Sequence, residues 1–296
     1  TDLQRKLEGM WRLEETTGGK TTAVPAQIRT AEGPQLCWIL SGGTPRGAKR
    51  TFRVVEGTPT QSPKQVRINQ TDDYLELSIA GAPVLRYNDA VVPPPPGQSE
   101  LYKRSAFIHP LWSPAGAVLT NIHPADHIHH MGFWMPWTHT EFEGKPVDFW
   151  NLKAGQGTVR FTNYLGTETG PVFGRFQTQH EHVVLNQPGG EKVALDETWD
   201  ITVWNTGQDD VFVWDFVSTQ RCAGESPLHL PAYRYGGLGF RATEQWKEGK
   251  AHYLTSEGHD RRTGHATRAR WCIVHGPTQQ GDAGMVFMSH PRNHEH

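Results

Sequence analysis

The sequence predicts an all-β fold, a large antiparallel β-sandwich, and three observations carry the prediction. The 296 residues include 31 glycines and 21 prolines, which punctuate regular structure and favour many short strands over long helices. Polar and apolar side chains alternate with a period of two: across 73–80, Tyr74, Glu76 and Ser78 alternate with Leu75, Leu77 and Ile79, which puts the second set on one buried sheet face. No segment keeps apolar residues at helical spacing over three turns.

Taken in order, the first 30 residues carry little pattern beyond the break at Gly18 and Gly19. Strand-like runs follow at 35–40, 51–55, 65–69 and 73–80. Pro93, Pro94, Pro95 and Pro96 then form an extended surface connection, because proline cannot donate to a sheet ladder and favours polyproline II geometry. This connection separates an N-terminal β-rich part, 1–92, from a main sandwich, 98–296, with one continuous domain as the alternative. Further strands are expected at 105–110, 116–121, 132–137, 157–164, 172–185, 192–204, 209–219, 236–242, 270–275 and 284–289. The runs 199–204 (WDITVW) and 211–216 (VFVWDF) flank a turn at 205–207 and read as an antiparallel hairpin. Large apolar residues on both faces of its second strand predict a central position between two packed layers. A propeller is the competing architecture, but no repeat at a fixed spacing supports it.

Composition excludes some functions. A formal net charge of −2 leaves no counterion-release argument for nucleic acid. No apolar run approaches the ~18–20 residues of a membrane helix. Three cysteines, Cys37, Cys222 and Cys272, are too few for a disulfide scaffold or a four-cysteine zinc knuckle. Eleven tryptophans exceed the about four that ordinary usage supplies. Some fill a core; one or two are expected to serve as platforms for the apolar faces of sugar rings. The chain starts at Thr1 and ends His290-Pro-Arg-Asn-His-Glu-His296, so an upstream segment and a longer C-terminus are expected.

The densest site signal is the stretch 121–134, NIHPADHIHHMGFW. His123, Asp126, His127, His129 and His130 fall within eight residues. Imidazole titrates nearest neutrality and offers a metal lone pair or a proton shuttle. In an extended chain His127 and His129 point to one side, where a divalent metal (zinc, calcium or manganese) would take both, and His130 points to the other as acid, base or substrate donor. The spacing matches neither His-Glu-x-x-His nor the Cys/His zinc patterns, so metal coordination, metal-free acid/base chemistry and a structural role all stay open. His109, just before the cluster, and Asp148, after the turn at 143–145, are further candidates; Asp148 either orients an imidazole or caps a turn. His180 and His182 alternate along a strand and share a face. The run 236–241, GGLGFR, fits no phosphate loop and predicts a backbone closely approached by something else, with Arg241 gripping an anion and Glu244 as a nearby acid.

The stretches 108–116 (IHPLWSPAG), 126–132 (DHIHHMG), 147–150 (VDFW), 236–241 (GGLGFR) and 290–293 (HPRN) resemble the recurring motifs of the DUF6807 family, often labelled methane oxygenase PmoA-like. They span roughly 104–293. The resemblance implies a β-sandwich akin to the mutarotase-like supersandwiches, from bacteria that degrade polysaccharides, and a periplasmic or secreted location with the cytoplasm as alternative. The methane label is rejected, since that membrane enzyme needs transmembrane helices. By motif, Asp126, His127, His129 and His130 match the family's Asp-His-x-His-His element, and His290 and Asn293 its late His-Pro-x-Asn, with His290 a candidate third metal ligand beside His127 and His129. Met131 stands where the family usually has arginine, which weakens any anion contact there.

Together these readings predict an enzyme that cleaves a C–O bond in an oligosaccharide. Elimination needs a base and a cation to stabilise the enediolate, which histidines with a metal or Arg241 supply. Hydrolysis needs two carboxylates flanking the glycosidic oxygen. The cluster is richer in imidazole than in carboxylate, so a lyase or dehydratase is favoured over a glycoside hydrolase. A sugar epimerase, suggested only by fold analogy, and a non-catalytic sugar-binding protein are the remaining alternatives.

Overall fold

A computed structural model describes residues 9–31 and 33–293. The first eight residues, counted above in the N-terminal part, and His294, Glu295 and His296 of the expected terminus lie outside the described residues. The architecture is an antiparallel β-sandwich; its only described helices are two short 3-10 turns, Glu100–Tyr102 and Glu244–Trp246.

Two sheets form the sandwich. One has six strands in the order Gly239–Phe240, Phe133–Trp134, Phe107–Leu111, Ala82–Asn88, Tyr74–Ile79, Val66–Gln70. The other has four long strands in sequence order: Gly157–Glu168, Phe173–Val184, Lys192–Trp204 and Val213–Cys222. Alternation delivers the predicted faces. Leu75, Leu77, Leu85, Tyr87 and Ile108 from the first sheet pack with Phe176, Trp199, Ile201 and Val203 from the second in one buried core. Burying such side chains stabilises the fold by ~1.5–3 kcal/mol each.

The four prolines connect neighbouring strands of one sheet. Asn88 pairs with Phe107 across the connection, and the strands before and after it share the core. Two corrections to the sequence reading follow from pairing. The strand Val213–Cys222 lies at the edge of the four-stranded sheet, not in its centre; Trp214 and Phe216 reach the core, while Val217 on the other face is exposed. The expected strand at 116–121 is reduced to isolated bridges, Trp112 with Val118 and Thr120 with Ala242.

A third sheet, His252–Thr255, Trp271–Thr278 and Gly281–Met288, packs on the sandwich through Phe287 against Phe240. An N-terminal three-stranded sheet has the order Lys20–Val24, Trp11–Thr17, Thr51–Glu56. The hairpin of Ala26–Arg29 with Gln35–Trp38 lies beside the four-stranded sheet, where Gln27 Oε1 accepts from Val172 and Phe173 N–H and Arg29 meets Asp200. The three cysteines are free.

Candidate active site

The site is assembled by three backbone hydrogen bonds that tie distant segments together. Gly132 N donates to Asn121 O at 2.9 Å, Arg241 N to Gly132 O at 2.6 Å, and Asn121 N to Arg241 O at 3.0 Å. The pairing of Phe133 with Phe240 and of Trp134 with Gly239 holds the same segments in register. Glycine is required at 132: its φ is +64°, and a β-carbon there would lie 2.3 Å from Ile108 O. The glycines of 236–241 serve close packing as well. A β-carbon on Gly239 would meet Trp134 at 2.9 Å, and Gly236 and Gly237 lie against the Trp137 ring. The close approach predicted for this run is therefore made by the protein's own indoles.

The histidine segment is folded into two tight turns, not extended. His127 N donates to Pro124 O and His130 N to His127 O, at 3.0 and 2.9 Å. The turns gather three rings into one cluster: His127 stacks on His130 with centroids 4.7 Å apart, and His129 meets His130 edge-on at 4.6 Å. His123, held at φ +48° with Nδ1 sharing a hydrogen bond with Ile128 O, shapes the turn from below. Such a left-handed conformation is uncommon for a residue other than glycine.

Burial and neighbouring imidazoles hold the inner rings neutral. Desolvation, with His127 adding to it, lowers the pKa of His129 to about 4. Desolvation and then His129 lower that of His130 to about 3. His130 Nδ1 is buried and has no hydrogen-bond partner among the described residues.

At the outer edge, Asp126 and His127 form a pair. Asp126 Oδ2 lies 3.2 Å from His127 Nδ1, while Asp126 Oδ1 accepts from Arg241 Nη2 at 2.6 Å. The hydrogen bond from Arg241 holds the Asp126 carboxyl well below the usual carboxylate range. Arg241 is thus already paired, rather than free to grip an anion as the sequence suggested. Glu244 accepts from Asn121 Nδ2 at 2.5 Å and pairs with Lys247 at 2.5 Å. Lys247 also reaches to within 3.8 Å of Asp126, so Glu244 and Asp126 border one charged rim.

Behind the histidines runs a wall of aromatic rings. His130 packs on Trp134 at 5.1 Å, Trp134 on Trp150 at 4.8 Å, and Trp150 on Tyr235 at 5.5 Å. Asp148 takes the turn-capping alternative, accepting from Trp150 N and Asn151 N through Oδ1 and from Asn151 Nδ2 through Oδ2. Its charge also reaches His129, whose protonated form it favours.

Two predicted residues lie outside the ring cluster, His109 against Gly132 and His290 in a turn near the described C-terminal end. His109 shares a hydrogen bond with Thr120 Oγ1 at 2.9 Å, and burial together with Arg86 lowers its pKa to about 4. His290 is exposed in a terminal turn, where Arg292 N donates to its Nδ1. It follows the strand Gly281–Met288, whose Phe287 packs on Phe240, the neighbour of Arg241. The expected metal set of His127, His129 and His290 is not brought together. Among the described residues no three His, Cys, Asp or Glu side chains are arranged to hold a metal ion, and no step is derived through one.

Sequence reasoning missed Lys247, Asn151, Tyr233 and Tyr235. The available signal was the pair of tyrosines around Arg234 directly before the glycine run.

Among protein families, DUF6807, described as a family of unknown function, matches residues 74–296. The chain is a member of the DUF6807 family. The match covers the six-stranded sheet from its second strand onward, the whole four-stranded sheet and every site residue named above. No curated protein and no solved structure matches this DUF6807 chain.

Proposed function

We propose that this DUF6807 protein is a carbohydrate-active enzyme that cleaves a C–O bond in an oligosaccharide by elimination, with His127 as the base. The observation that carries this reading is the contact between Asp126 Oδ2 and His127 Nδ1 at 3.2 Å, with Asp126 itself fixed by Arg241. A carboxylate on Nδ1 sets the tautomer and leaves Nε2 as the basic atom. The His127 side chain is half-exposed at the rim.

The carboxylates argue for elimination over hydrolysis. Two-carboxylate hydrolysis requires one acid that carries a proton near neutrality. Asp126 is held ionised by Arg241, Glu244 is engaged by Asn121 and Lys247, and Asp148 caps a turn. Arg241 and Lys247 lie at the same rim with their charges offset by Asp126 and Glu244. A uronate-type sugar is the substrate that suits elimination, because its carboxylate acidifies the neighbouring proton that the base removes. In the reaction, His127 Nε2 takes the proton next to the sugar carboxylate, the neighbouring C–O bond breaks, a C=C bond forms, the leaving oxygen takes a proton from solvent water, and His127 returns its proton to solvent. His129 and His130, neutral at pH 7, offer N–H groups and lone pairs to hydroxyls, and the indoles of Trp134 and Trp150 exclude water behind them.

The test is incubation with uronate oligosaccharides and with neutral ones, following the ultraviolet absorbance of the unsaturated product and the reducing ends. Unsaturated product from a uronate substrate is expected, falling by about 10²–10⁴-fold in His127→Ala. New reducing ends without unsaturation would show hydrolysis, and full activity in His127→Ala would remove the base assignment. A periplasmic or secreted location is part of the same proposal.

A further inference from the structure

We propose that a second sugar subsite lies beside Tyr233, so that the cleft takes a chain of at least two sugar units running from the histidines to this subsite. The inference rests on the carbohydrate reading above but concerns binding and not the reaction.

A cavity of ≈ 200 Å³ is lined among others by Thr138, His139, Asp148, Asn151 and Tyr233. The ring wall continues into it. Beyond Trp150 comes Tyr235, then Tyr233 at 5.2 Å from Tyr235, and then His139, stacked on Tyr233 at 4.8 Å. His139 stacks on one face of Tyr233 and the Arg234 guanidinium lies 6.0 Å from its ring centroid, yet the tyrosine remains 48% exposed and lines the cavity. Flat rings with a polar edge suit the apolar face of a pyranose. The floor is polar: Asn151 Nδ2 lies 2.5 Å from Asp148 Oδ2 and 3.4 Å from both Tyr235 Oη and Thr138 Oγ1. An amide and a carboxylate under an exposed ring are the pairing that orients a hydroxylated ring, with few polar groups setting the pose.

The wall is held by the interior. Trp137 Nε1 donates to Gln220 Oε1 at 2.7 Å, Gln220 Nε2 to the buried Glu197 at 2.9 Å, and the glycines that follow Tyr235 pack on the face of Trp137. Gly237 N adds a hydrogen bond to Pro136 O at 2.8 Å. The segment that carries the two tyrosines is therefore anchored at its base while its side chains face outward. Asp148 joins the two regions: it caps the turn under Trp150, bonds Asn151 in the cavity, and its charge is felt at His129. One bound chain spanning both regions accounts for that continuity.

The experiment is titration calorimetry with dimers to hexamers of galacturonate and of mannuronate, on the intact protein and on His127→Ala, Tyr233→Ala and Tyr233→Phe. Affinity is expected to rise with chain length in at least one series, equally in the intact protein and in His127→Ala. In Tyr233→Ala the gain is expected to fall by about tenfold, the size of one aromatic contact, and in Tyr233→Phe to persist. Affinity independent of length, a length effect that survives Tyr233→Ala, or no binding by any oligomer would overturn the subsite. Length-dependent binding without turnover would overturn the proposed reaction and leave the subsite standing, and turnover without length dependence would do the reverse.

Discussion

A β-carbon added at Gly239 would lie 2.8 Å from Cη2 of Trp150. That contact is the point at which the six-stranded sheet supports the wall behind the histidines. Gly239→Ala is expected to cost about 1–3 kcal/mol by overpacking a buried site. A thermal scan should show a midpoint lower by several degrees, and an unchanged midpoint would mean that the indoles yield freely.

Asp126→Asn removes the carboxylate from His127 Nδ1 while keeping its shape. The expected outcome is a loss of turnover of about 10²–10⁴-fold with substrate affinity largely kept, because orientation of the base matters in the transition state more than in binding. Steady-state kinetics on the uronate substrate check it; a change confined to KM would make Asp126 a binding residue instead.

Glu197 is fully buried and accepts from His182 Nε2 at 2.9 Å, Ser218 Oγ at 2.5 Å and Gln220 Nε2 at 2.9 Å. Burial pushes its pKa up, but the nearby His180, 3.7 Å away, and the hydrogen bond with His182 outweigh this and hold it low. Glu197→Ala strands those partners and is expected to destabilise by about 3–5 kcal/mol, read from the urea midpoint. A loss below about 1 kcal/mol would show that the interior re-pairs without it.

Acid should weaken the fold early. His109 and His129 have pKa values lowered to about 4 and His130 to about 3, each chiefly by burial, against an unfolded value near 6.5. Between about pH 6.5 and 4 the unfolded chain binds more protons than the folded one, so stability rises with pH across that window and is lost as pH falls through it. The low pKa of Glu197 adds a loss in the same direction at still lower pH, where the unfolded carboxylate protonates first. Urea midpoints at pH 7 and pH 5 measure the effect; equal midpoints would show these rings to be solvated.

Much of the sandwich was legible because alternation writes burial directly into a strand. Lys192–Trp204 has the predicted limits, and the inward set of Tyr74–Ile79 is Leu75 and Leu77. The N-terminal hairpin was legible in principle and missed: Gly18 and Gly19, both at positive φ, turn Trp11–Thr17 into Lys20–Val24 with Thr17 paired to Lys20. Adjacent glycines are a signal for a two-residue turn. The edge position of Val213–Cys222 was not legible, because an edge strand whose inner face lies over a core carries the same apolar content as a central one.

In the site, local sequence marked the histidines but not their geometry. Two turns bring His127, His129 and His130 onto one side, and turn type depends on backbone angles that the residue names leave open. The pairing of Asp126 with Arg241 joins positions far apart in the chain through strand register. No local spacing encodes it. The motif that ends at Asn293 forms an exposed turn after the strand Gly281–Met288, and among the described residues its His290 forms no metal-holding group with the cluster.

The proline connection bears on how the protein can be dissected. Cutting at Pro93–Pro96 would part Ala82–Asn88 from Phe107–Leu111 and leave a bare hydrogen-bonding edge on each fragment. Exposed edges of that kind recruit other chains. A fragment starting after the prolines is therefore expected to self-associate, and the two pieces to reunite when expressed together, behaving as a split protein whose halves report on each other's presence.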